Sequence, residues 1–260
     1  MFTGVRTLAL GGLLGALLAA PPALAQSDEE PLARFEDPVC PGVAGLEREA
    51  AEAMVGRMRE NVEAFGLRMA QNGDCEANLI VAFVDDGNAM LSKMETDARY
   101  LFAEMNLDDR RALLEGPGPA HAVHQLVPRA RDGRPIPRYE SPSEIPQTQM
   151  WMAHSKIYLA TRNDIVYSLI LIERDGIGSA NVRQLADYAT FRALSRDVPD
   201  PAAAGEASIL TLFDERADHP AELTEFDRAY LGSLYAGQAN LPSSAKLADI
   251  ARATGTNTVE

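Results

Sequence analysis

A few side chains in this sequence have the type and spacing to do chemistry. Cys40 and Cys75 are its only thiols. In an oxidising compartment two such cysteines pair by default, and closing a loop of roughly 36 residues would restrict the unfolded chain by about 3 to 4 kcal/mol. A reactive thiol would need a histidine beside it, and no local pattern supplies one. His121 and His124 stand three residues apart. On a helix they could share a metal, but in an edge strand that spacing sends them to opposite faces, which favours solvated or hydrogen-bonded rings. His154 precedes Ser155, yet no nucleophile elbow or third member accompanies them. Asp85 and Asp86 pair two carboxylates within Asp-Asp-Gly, the composition of a turn at a strand end. Arg129, Arg131, Arg134 and Arg138 form a local basic patch. It reads as a solvated loop, with an acidic envelope polymer or partner as the alternative. Trp151, between Met150 and Met152, reads as a core or loop anchor.

The compartment follows from the first 25 residues. Arg6, an apolar run from Thr7 to Ala20, Pro21-Pro22 and Ala23-Leu24-Ala25 predict a secretory signal cleaved after Ala25, hence a periplasmic or secreted protein. The apolar run is too short and too soon broken by proline for an integral membrane span. Without that segment the chain keeps 24 less one basic and 38 acidic side chains, a net charge of −15. Such a surface argues against nucleic acid. The length suits one substantial core without requiring two.

The elements that must position these residues are legible as patterns. Residues 26–38 are acidic and proline-bounded, expected to be a flexible mature N-terminus. Ala51, Met54, Val55, Met58, Val62, Phe65 and Met69 recur at helical spacing and predict an amphipathic helix over 46–71. An apolar strand follows at Leu79–Val84. Asn88 and Asn106 are placed to cap the next two helices, and Pro128, Pro135 and Pro137 confine any strand over 121–139 to an edge, with Asp132-Gly133 as a turn.

Residues 154–197 organise the rest. They predict a hairpin turning at Asn163-Asp164, a central strand Ile165–Ile172 covered on both faces, and a core helix from Asn181, where Gln184 can complete a capping box. Val182, Leu185, Ala186, Ala189 and Ala193 form one stripe and Tyr188, Phe191 and Leu194 widen it, so packing should surround this helix. Past about residue 200 the chain should be mostly helical. Thr224 and Asp227 can cap a helix ended by Gly237, and a last helix spans 244–254.

The pieces Leu79–Val84, Ile157–Ile172, Gln184–Leu194 and Leu223–Tyr235, in that order, resemble the zinc-metalloprotease (zincin) fold, and more closely uncharacterised exported bacterial proteins related to it. The resemblance implies an α+β domain over 39–260: a small mixed sheet of about four strands packed on a buried core helix, with a mostly helical C-terminal part. Zincins place two histidines four apart on the core helix with a glutamate beside the first, and three protein ligands hold the zinc. Helix 182–196 has no His and no Glu; its one acid is Asp187, and the one histidine downstream is His219. The implied reading is a degenerate zincin that kept the scaffold and lost the metal: no cofactor, no catalytic residue, and a role as a binding or structural module for an envelope protein or polymer. The alternative is a peptidase or peptidoglycan hydrolase with an unorthodox site, Asp187 with His219 or His154.

Overall fold

The computed structural model describes residues 30–70, 75–102, 105–116, 118–136, 155, 157–199, 205–214, 217 and 219–256. The export signal with its cleavage point, Arg138, Trp151 and His154 lie outside the described residues.

Strand β5 (Thr161–Glu173) is the axis of a five-stranded mixed sheet. From Ile165 to Ile172 it is, Ser168 apart, β-branched, aromatic and aliphatic, a composition that tolerates burial on both faces. Strand β4 (Ala120–Ala130) runs antiparallel along one edge, from Ala120 opposite Ile172 to Ala130 opposite Thr161. Along the other edge β3 (Leu79–Val84) pairs in parallel with Ser168–Glu173, and β1 (Arg34–Phe35) pairs in parallel with Asp164–Ile165. Strand β2 (Pro41–Ala44) lies parallel to β3 on its outer side. The sheet thus reads β4, β5, β3, β2, with β1 continuing the line of β3.

The two-residue period of β3 and β5 divides the core. Leu79, Val81, Phe83, Ile170 and Ile172 face the larger layer, which contains α1 (Arg48–Ala64) and α4 (Val182–Leu194). Val84, Leu169 and Leu171 face a smaller one: α2 (Gly87–Asp97), a 3-10 turn (Arg99–Phe102) and α3 (Leu107–Glu115). Helix α4 buries ten of its thirteen residues, polar ones included, and Ser168 Oγ donates to Ala193 O to join it to β5. The capping box forms: Gln184 N–H donates to Asn181, and the Gln184 side chain accepts from the Asn181 amide. Thr224 and Asp227 form a second box at the start of α5 (Glu225–Tyr235), which pairs with α6 (Ser243–Thr254). Tyr230 of α5 packs against Phe191 with ring centres 5.4 Å apart.

The structure corrects four expectations. The hairpin turn at Asn163-Asp164 does not exist; both residues lie inside β5, whose antiparallel partner is β4. Asp164 tolerates this position, with no exposure, because Arg162 and Arg129 bring guanidinium groups to within 2.9 Å and 3.5 Å of its carboxylate. The segment before residue 39 is part of the fold from Pro31 on: Leu32, Ala33 and Phe35 are buried, and Arg34 donates to Leu234 O and Gly237 O at the end of α5. The cap of α2 is Asp86, not Asn88; its side chain accepts from Ala89 N–H at 2.8 Å. The sheet also has one strand more than the four expected, the two-residue β1.

Candidate functional site

Asp187, the acid of the core helix, is fully buried and has four donors on its two oxygens. Arg57 and Asn61 stand four residues apart on α1, so they share a face. Arg57 Nε donates to Oδ1 at 2.7 Å and Nη2 to Oδ2 at 2.9 Å, a bidentate pair. Asn61 Nδ2 adds a 2.7 Å bond to Oδ1, and the Leu223 amide a 2.9 Å bond to Oδ2. Both lone pairs of each oxygen are therefore taken. The bond to Asp187 pushes the Arg57 guanidinium above its ordinary pKa.

Asp187 thus joins α1, α4 and the turn leading into α5. At the open end Glu222 receives Arg57, Arg183 and Arg228 at 3.2 to 3.4 Å; Glu222, Arg183 and Arg228 are about half exposed, where such pairs are worth little. A general base needs a free lone pair within reach of a substrate proton. The Asp187 carboxylate offers none. The one sign of Arg57 and Asn61 in the sequence is their four-residue spacing on the helix that also carries Met54 and Met58.

His219 is exposed, and its Nε2 lies 2.9 Å from Asp214 O. It is not hydrogen-bonded to Asp187, whose donors all come from other residues. Among the described residues no group of three His, Cys, Asp or Glu is placed to hold a metal ion.

His121 and His124 do point to opposite faces of β4. His124 donates Nε2–H to Arg192 O of α4 at 2.9 Å, and burial lowers its pKa to about 4. His121 lies 4 % exposed under α2. Asp85 and Asp86 are not a working carboxylate pair: Asp86 caps α2, and Asp85 forms an ion pair with Arg174. The basic patch is partly neutralised. Arg129 binds Asp37 and Asp164, Arg131 stacks over Tyr158 at 5.3 Å, and Arg134 pairs with Asp132. Burial pushes the Asp164 carboxyl above the usual range, while Arg162 and Arg129 pull it back.

Cys40 and Cys75 are disulfide-bonded, which ties the residue before β2 to the approach to β3. No described helix is long and apolar enough to cross a membrane. No family model, no curated protein and no solved structure matches the chain.

Proposed function

We propose that this chain is an exported, non-catalytic protein of the cell envelope, built on a zincin-like scaffold and acting as a binding or structural module. The observation that carries this reading is the state of Asp187. A zincin turns the acid and histidines of its core helix toward an open site; here the core helix is packed on nearly all sides, and its acid is consumed by Arg57, Asn61 and the Leu223 amide. A carboxylate in that state holds helices together and has no capacity left for a metal or a substrate. The disulfide suits an oxidising compartment. The charge of −15 points to a partner with cationic or neutral surface.

Metal analysis of the protein purified from the exported fraction tests the reading. It expects less than stoichiometric zinc, and a melting temperature that neither zinc nor chelator shifts. Stoichiometric zinc, together with peptidase or peptidoglycan hydrolase activity that chelator abolishes, would sink it and favour the hydrolase.

A further inference from the structure

His121 is the one described histidine with a buried ring nitrogen left over. Its Nε2 has no hydrogen-bond partner among the described residues, although buried polar atoms are nearly always paired. It sits against the first residue of α2: a side-chain carbon at Gly87 would fall 2.9 Å from His121 Nε2 and 3.1 Å from Glu173 Oε1. This close approach is why a glycine stands there. Glu173 Oε1, the nearest counter-charge, already accepts the Gly87 amide at 2.8 Å.

The layer above this ring is the lightly held part of the fold. Helix α3 fully buries none of its residues, and α2 buries only Gly87 and Leu91. With the 3-10 turn they close over Val84, Val123, Leu169 and Leu171 by inserting Leu91, Leu101 and Phe102. Layers with few buried contacts open at lower free energy than the global transition.

We infer that His121 is an acid-sensitive latch: protonation of its ring releases α2 and α3 from the sheet while the side of the sheet covered by α1 and α4 stays folded. A charge on this ring has little water to solvate it. From β5 it meets Glu173, from the cap of α2 Asp86, from α3 the Leu113 carbonyl, all favouring the charged ring, and from α4 Arg192 opposing it; burial outweighs them and holds the pKa below 6.5. Once the layer lifts, the ring is hydrated and takes a proton at its ordinary pKa. The open state therefore binds more protons, so the closed state loses stability as pH falls below about 6.5, by at most about tenfold per pH unit. Opening would bare the apolar face made by Val123, Leu169 and Leu171.

Amide hydrogen exchange between pH 7.5 and 5.5 tests the latch, read as protection factors so that the intrinsic pH dependence of exchange is removed. In the wild-type protein, protection in α2 and α3 should lie below that of α4 and fall by up to about tenfold; in His121→Leu it should stay flat. An unchanged profile in α2 and α3, protection there equal to that of α4 at pH 5.5, or the same fall in His121→Leu would overturn the proposal. If the variant does not fold, the wild-type ring is titrated by NMR. A midpoint below 6.5, with protection lost from about pH 6.5 down to that midpoint, supports the latch, and one at or above 6.5, or one unaccompanied by that loss, refutes it.

Discussion

At the scale of single residues, the carboxylate of Asp187 decides most. Judged by shape, Asp187→Asn is a mild change that keeps one acceptor and would cost about 1 to 2 kcal/mol. The structure predicts more. An amide would turn an NH2 toward Arg57 or the Leu223 amide, and it would leave Arg57, whose side chain is 16 % exposed, without its buried counter-charge. Removing one partner of such a pair costs about 3 to 5 kcal/mol. Urea unfolding should therefore place Asp187→Asn that far below the wild type, while Arg183→Ala, on the exposed side of the same network, should lose less than about 1 kcal/mol. Equal small losses in both would mean that Asp187 is not the joint described here.

At the scale of elements, the C-terminal end of α5 shows how distant segments are locked together. The last carbonyls of a helix have no partner within it. Here Arg34, 6 % exposed, donates to Leu234 O and Gly237 O, and Lys246 of α6 donates to Ser233 O and Ala236 O. Arg34 sits in β1, so the start of the described chain is bolted to its helical end. Replacing Arg34 with Ala would leave the buried Leu234 carbonyl without its donor and open a gap beside Leu32 and Leu234. A loss on the order of 2 to 3 kcal/mol is expected. Calorimetry would read it as a single transition at lower temperature; a variant melting with the wild type would show that the N-terminal segment is dispensable.

At the scale of the whole molecule, acid should weaken the fold through His124 as well as through the local opening at His121. His124 holds its neutral ring between β4 and α4, with Arg192 and Arg196 opposing a positive charge there. Its folded pKa, about 4, lies below the unfolded 6.5. The stabilisation is therefore complete above pH 6.5 and is lost as the pH falls toward 4, to a limit of about 3 kcal/mol. The difference in urea midpoint between wild type and His124→Gln should shrink by that order between pH 7 and pH 4.5. A difference independent of pH would remove His124 from the account.

Local signals were enough for the elements whose cause is local. The period of Met54, Met58 and Val62, the aliphatic run Leu79–Val84, the boxes at Asn181/Gln184 and Thr224/Asp227, and the opposite facing of His121 and His124 all follow from spacings within a few residues. Pairing between segments far apart in sequence was not legible. Nothing near Asn163-Asp164 announces that Arg129 will neutralise the carboxylate, so two polar residues read as a turn and became part of the longest strand. Residues 31–38 read as a loose acidic tail because the carbonyls that bind Arg34 lie 200 residues away. Asp187 likewise looked like a candidate acid until Arg57, Asn61 and the Leu223 amide met it. The charge on a side chain is written in the sequence, whereas the partners that use up its lone pairs are decided only when the chain folds back on itself.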